Sequence, residues 1–262
     1  SLRFGGADLV RVSQAASAGF RPDVGSIEAA VTSRTRAIAI TTPNNPTGVV
    51  LSPAELQDTA NVAQRHDLWV IADEVYQDVV FEGVHTSIAS LPGMAERTVT
   101  VSSLSKSHAM TGWRVGWAVG PTELVKHFDA LQINVNYGLP GFVQAAALAA
   151  LTEHRDASVP MREAYLRRRD LAASILAQAP ELGILIPDAG MYLLVDVSAV
   201  AVSSKRFVRD LFDATGVSVI DARAFGRCAD GWVRLSFTIG DDELAEGCRR
   251  IVHHVRQGVG RT

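Results

Sequence analysis

The sequence predicts an α/β fold: a mainly parallel sheet sandwiched by helices, followed by a smaller C-terminal α+β domain. Three observations lead there. Residues 36–42, 68–72 and 98–101 are short, continuous apolar runs of the kind that fill buried parallel strands. A helix start lies between the first two, so strand and helix alternate. Beyond Pro180 the pattern changes to short strands mixed with amphipathic helices. The expected division is residues 1–159 for the first domain and 160–262 for the second.

In chain order, residues 9–12 alternate apolar and charged side chains and predict a first strand. A turn at residues 19–23 and a short helix over 26–31 follow. Residues 36–42, centred on Ala37-Ile38-Ala39-Ile40, predict a buried strand that ends at the dense turn signal Pro43-Asn44-Asn45-Pro46-Thr47-Gly48. Ser52-Pro53-Ala54-Glu55 is a capping box with proline at the first helical position, starting a helix that runs to about Arg65. The run 68–72 ends at Asp73-Glu74-Val75-Tyr76, and the run 98–101 delivers Ser103-Leu104-Ser105-Lys106. Residues 115–120 predict a fourth strand. Residues 121–135 and 141–179 are helical in composition, with Pro160 expected to break or kink the longer run. Arg162, Arg167, Arg168 and Arg169 read as a solvated helix face.

In the C-terminal part, residues 182–186, 191–197, 217–220 and 232–237 predict strands. Ser204–Thr215 predicts a helix with Phe207, Val208, Leu211 and Phe212 on one stripe and Gly216 as its stop. Asp241 is expected to cap a last helix whose stripe is Leu244, Cys248, Ile251, Val252 and Val255.

Composition narrows the function. A hydrophobic content of 47% against 20% charged residues in 262 supports a sizeable core and argues against disorder. The net charge of -3 offers no footprint for nucleic acid or an anionic membrane. Two cysteines, Cys228 and Cys248, fit reduced thiols and a cytoplasmic setting better than a disulfide framework. No apolar run is long enough to span a membrane, no signal peptide is apparent, and no His/Cys/Asp spacing suggests a metal site. The chain opens Ser1-Leu2-Arg3-Phe4, without a methionine, and is expected to start inside a fold.

Chemistry gathers at the predicted strand ends. Asn45, Asp73 and Lys106 follow three different strands, and parallel sheets bind ligands beyond that edge. Lys106 sits among serines with Arg114 close behind, inside Gly112-Trp113-Arg114-Val115-Gly116. That suits an amine forming a Schiff base beside a phosphate clamp. Arg234 lies in an apolar strand between Val233 and Leu235, where a guanidinium needs an anionic partner. Plainer readings stand beside these: a solvated Lys106, a helix-capping Asp73, a turn-forming Asn45, a surface pair for Arg114, and an ion pair of Arg234 with Asp241 or Asp242.

Taken together, Asn44-Asn45-Pro46-Thr47-Gly48, Asp73-Glu74-Val75-Tyr76, Ser103-Leu104-Ser105-Lys106 with Arg114, and Arg234-Leu235-Ser236-Phe237 resemble the fold-type I, class I/II aminotransferases. The motifs occur in that family's order and cover most of the chain. The resemblance implies pyridoxal 5′-phosphate as cofactor, with Lys106 as its Schiff-base lysine. It implies that Asp73 pairs with the pyridine nitrogen and that Tyr76 and Asn45 bond the 3′ oxygen. Ser103, Ser105 and Arg114 would hold the phosphate, and Arg234, with Asn45, the substrate carboxylate. Glu74, His108, Met110 and Trp113 are left as structural. Implied substrates are an L-amino acid and a 2-oxo acid, in a homodimer. The segment Asn134 to Gly141 holds Tyr137 and no arginine, which argues against a dicarboxylate specialist, and the Lys106 and Tyr137 segments look most similar to pyruvate-linked transaminases. The family's N-terminal portion has no counterpart before residue 9, so an N-terminally truncated family member is expected. The same cofactor also serves C–S β-lyases and cyclising lyases. Two further alternatives are a sensor domain of a transcription regulator, for which no basic segment speaks, and an inactive remnant.

Overall fold

The computed structural model describes residues 5–258. The first part runs α1 (Val24–Ala29), β1 (Ala37–Thr41), α2 (Pro53–Arg65), β2 (Trp69–Asp73), β3 (Thr98–Ser103), α3 (Leu104–Ser107) and β4 (Gly116–Val119). Helices α4 (Thr122–Asn136), α5 (Gly141–Thr152) and α6 (Ser158–Leu176) follow. The remainder is β5 (Gly183–Leu185), β6 (Tyr192–Asp196), α7 (Ser204–Thr215), β7 (Ile220–Asp221), β8 (Trp232–Ser236) and α8 (Asp241–Arg256).

The capping box forms as its spacing demands: Ser52 Oγ accepts from Glu55 N, and Ser52 N donates to Glu55 Oε2 at 2.7 Å. The apolar face of α2, with Leu56, Ala60 and Ala63, then buries against Leu68, Val70 and Ala72 of the β2 region. Each large side chain buried this way contributes about 1.5–3 kcal/mol. The first sheet has the order β1-β2-β3-β4, parallel across β1, β2 and β3 and antiparallel at β4. Its register pairs Thr41 with Asp73 and Asp73 with Val101, so the carboxyl ends of three strands lie level.

The second sheet is antiparallel, in the order β5-β6-β8-β7. One face carries Leu193, Val195, Val233 and Leu235 into a core shared with Leu176 of α6, Phe207 and Leu211 of α7, and the full predicted stripe of α8. The other face packs Leu194 and Trp232 with Phe20.

Residues 187–190 stitch the two sheets together. Ala189 N donates to Gly48 O at 3.0 Å, Gly190 N to Val79 O at 2.8 Å, and Phe81 N to Asp188 O at 2.8 Å. Gly48 sits at φ +71°, and a Cβ there would stand 2.2 Å from Pro187 Cβ, so only glycine permits the approach.

Several expectations need correction. Residues 9–12 form no strand, because their alternating pattern finds no ladder to join. β1 is half-exposed rather than buried, since among the described residues it is an edge strand with β2 as its one sheet neighbour. The first helix begins two residues early, capped by Asp23. β2 and β3 are joined by loops and 3-10 turns, not by an α-helix. The long helical run breaks at Glu153 and His154, and Pro160 lies in the first turn of α6, where no N–H partner is missed. Arg169 is buried, 6% exposed, rather than solvated: it bonds Glu82, Asp170 and the Pro187 carbonyl and lies over the Phe81 ring. Phe212 is exposed, only Ile220 of the strand expected over 217–220 lies in β7, and Gly240 rather than Asp241 takes the cap position of α8.

Candidate active site

The level strand ends of the first sheet and the start of β6 converge on one place. β3 ends at Ser103, whose hydroxyl accepts from Ser105 N at 3.3 Å and turns the chain into α3, carrying Lys106. Gly116 lets β4 lie close beside it; a Cβ there would be 2.7 Å from Ser102 O. The Lys106 amine lies 5.9 Å from the centre of the Tyr76 ring. Among the described residues it makes no ion pair and no hydrogen bond.

Asp73 closes β2. Its Oδ1 accepts from Val75 N at 3.2 Å, but residues 75–78 form a turn and not a helix, so the helix-capping reading does not hold, and among the described residues no cation pairs with Asp73. The neighbouring Glu74 is 2% exposed and held by His85 Nε2 at 3.1 Å and Ser87 Oγ at 2.7 Å, which pins the loop after Asp73. Tyr76 is 3% exposed. Burial pushes its phenol well above the ordinary tyrosine value; the adjoining Tyr192 hydroxyl and Asp73 add to this, and Arg234 opposes it.

In the turn 43–48 the two asparagines divide the work. Asn44 Oδ1 accepts from the Thr47 hydroxyl at 3.0 Å and shapes the turn. Asn45 is thereby free to cross to the second sheet, where its Oδ1 accepts from Arg234 Nη1 at 2.8 Å. Arg234 is half-buried, lies 3.9 Å from the centre of the Tyr192 ring and 4.7 Å from that of Phe225, and has no carboxylate partner among the described residues. The ion pair with Asp241 or Asp242 does not form; Asp241 accepts from Arg168 Nε at 2.6 Å instead.

Asn45, Asp73, Tyr76 and Arg234 are thus brought together, with Lys106 over Tyr76. The proposed phosphate clamp is not assembled in the same way. Arg114 is exposed, donates to Thr111 O at 2.8 Å, and makes no hydrogen bond to Ser103 or Ser105. It does hold a left-handed backbone, φ 52°, a strained conformation of the kind found at functional sites. His108 is structural, bonded to Ser107 Oγ and His154 O.

Sequence reasoning missed Tyr192 and Phe225. Tyr192 pairs with Ser236 and Leu194 with Arg234, which puts Tyr192 diagonally beside Arg234 on one sheet face. That register is not readable from one sequence.

An amine without a partner, a carboxylate without a cation, a buried phenol and an arginine without an anion among the described residues fit the cofactor and the substrate carboxylate that the resemblance implies. Among the described residues no cluster of metal-ligating side chains occurs, and no helix is long and apolar enough to cross a membrane.

Residues 1–251 match the family described as "Aminotransferase class I and II". Arginine–pyruvate transaminase AruH of Pseudomonas aeruginosa is 48% identical over 94% of this chain and 63% of its own length. Aspartate/prephenate aminotransferase of Thermus thermophilus is 37% identical over 95% of this chain and 64% of its own. The chain spans less than two thirds of the length of these relatives. Among solved structures, the aromatic aminotransferase from Pyrococcus horikoshii superposes with a TM-score of 0.91 at 35% identity, covering 95% of this chain and 67% of that one. Aspartate aminotransferase from Thermus thermophilus with maleate gives 0.90 at 35%, covering 96% and 65%.

Proposed function

Because the chain belongs to the class I and II aminotransferase family, we propose that it is a pyridoxal 5′-phosphate-dependent transaminase acting through Lys106. It moves an amino group from an L-amino acid to a 2-oxo acid. The observation behind this reading is a set of unpaired groups facing one another: Lys106 over Tyr76, Asp73 beside it, and Arg234 tethered by Asn45 with no anion. A pyruvate-type acceptor is favoured by the 48% identity to arginine–pyruvate transaminase.

When bound, the cofactor's pyridinium ring withdraws the electron pair left at the substrate Cα. Asp73 holds the proton on the ring nitrogen by its charge. The Lys106 amine carries the cofactor and moves the proton at Cα. Tyr76 and Asn45 orient the ring through its 3′ oxygen. Ser103, Ser105 and Arg114 take the phosphate, which requires Arg114 to exchange its bond to Thr111 O for a charge-assisted one. Arg234 grips the substrate carboxylate through its free edge.

Residues 1–159 and 160–262 act as a larger and a smaller domain, and the protein works in the cytoplasm, in keeping with its two free cysteines. A second copy covers α4 and α5, where Leu131, Ile133, Val135, Phe142 and Leu148 are exposed. The deciding experiment adds pyridoxal 5′-phosphate and borohydride and maps the label by mass spectrometry. The label is expected on Lys106 and to vanish in Lys106→Ala; an unlabelled Lys106 sinks the reading. Incubation with arginine or alanine should then convert bound cofactor to its amino form without ammonia, and ammonia release would assign a lyase instead.

A further inference from the structure

Arg234 presents a physical difficulty. It is a half-buried guanidinium with no carboxylate partner among the described residues, yet Asp241 and Asp242 follow a few residues along the chain. Something must hold it in place. Asn45 takes one N–H, and two aromatic rings lie close to the guanidinium: Tyr192 at 3.9 Å and Phe225 at 4.7 Å. Ring contact uses the face of a guanidinium and leaves its in-plane N–H fork for an anion.

We propose that Tyr192 is a positioning residue of this site: its ring sets the plane of the Arg234 guanidinium. The proposal rests on the transaminase reading for what Arg234 binds, but its first test does not.

Two variants separate the two ends of the side chain. Tyr192→Phe keeps the ring and removes the hydroxyl; Tyr192→Leu removes both. In the protein without added cofactor, phenylglyoxal modification of Arg234 is followed by mass spectrometry. Tyr192→Leu should raise the Arg234 modification rate about fivefold, as the loss of one cation–π contact implies, and Tyr192→Phe should leave it unchanged. With pyridoxal 5′-phosphate bound, Tyr192→Phe should leave the KM for the amino donor unchanged, because the ring over Arg234 is kept. Tyr192→Leu should raise that KM about tenfold and change kcat less. Equal behaviour of both variants in every readout, whether unchanged or lowered in step with melting temperature, overturns the proposal and leaves Tyr192 as packing. A wild-type chain that never takes up the cofactor overturns the transaminase reading instead; the phenylglyoxal rates then still decide whether the Tyr192 ring positions Arg234.

Discussion

The two sheets are treated very differently by the rest of the chain. Around the second sheet, α8 buries Leu244, Cys248, Ile251, Val252, His254 and Val255, and β6 buries Leu193, Leu194 and Val195. Around the first, α4 has no buried residue, although Leu131, Ile133 and Val135 help make its sequence more apolar than that of α8, and β1 and β4 remain largely open. Hydrophobic sequence and hydrophobic burial are therefore separate properties: the first is written locally, the second needs an opposing face. The site lies where the closed region meets the open one, with Arg234 and Tyr192 supplied by the closed side and Asp73, Tyr76 and Lys106 by the level strand ends of the open side.

The sharpest test of this contrast is a matched pair of truncations. Phe237 is fully buried in the second core, and Phe237→Ala should cost about 3–5 kcal/mol in urea unfolding. Leu131→Ala on α4 should stay within about 0.5 kcal/mol. Similar losses would break the comparison. A Leu131→Ala cost that grows with protein concentration would sharpen it, by locating the face a second copy covers.

Next in size is the seam. Arg169 joins Glu82 to the Pro187 carbonyl and covers Phe81. Its acidic partners are exposed, so Arg169→Met strands no buried charge and should cost about 1–3 kcal/mol by thermal unfolding. Arg169→Lys should recover only part, because lysine lacks the planar fork. No loss in either variant would mean that the seam is held without the Arg169 side chain.

Legibility followed the same divide. The helices α2, α7 and α8 and the strands β2, β3, β6 and β8 were readable because each meets the face its pattern calls for. Residues 9–12 carry a strand pattern without a ladder, and β1 carries a buried-strand pattern at an edge, so in both the local signal outran its surroundings. For the site, Asn45, Asp73, Tyr76, Lys106 and Arg234 were legible because strand ends and motif order concentrate chemistry there. Tyr192, Phe225 and the buried state of Arg169 were not, since each depends on a register or a contact between segments far apart in sequence. Arg114 was legible by motif, but its side chain bonds its own loop.

A smaller effect probes how firmly α2 is fixed to the open sheet. Ser52 accepts from Glu55 N while Glu55 accepts from Ser52 N and from Arg21 Nη1 at 2.8 Å. Ser52→Ala should cost about 1 kcal/mol, the usual worth of an N-cap. A cost near zero would show that Arg21 and the apolar face of α2 fix the helix without its cap.

The smallest effect at neutral pH concerns His254, and it is a matter of slope. His254 is 1% exposed on α8, edge-on to Phe207 at 5.7 Å, and among the described residues its Nε2 has no hydrogen-bond partner. Burial pushes its pKa below the ordinary 6.5; Asp210 pulls the other way and His253 adds to the depression. The unfolded chain then binds more protons than the folded one as the pH drops below 6.5. The stability this neutral imidazole contributes is complete above that value and is lost as the pH falls through the folded pKa. His254→Leu should therefore unfold at nearly the wild-type denaturant midpoint at pH 8, with the orphaned nitrogen removed, and should lose less stability than wild type on acidification. Urea midpoints measured from pH 8 down to pH 5 would show it. Parallel acid slopes for the two proteins would mean that water reaches His254 and that the second core is looser than its burial implies, which would narrow the contrast with the open sheet from its closed side.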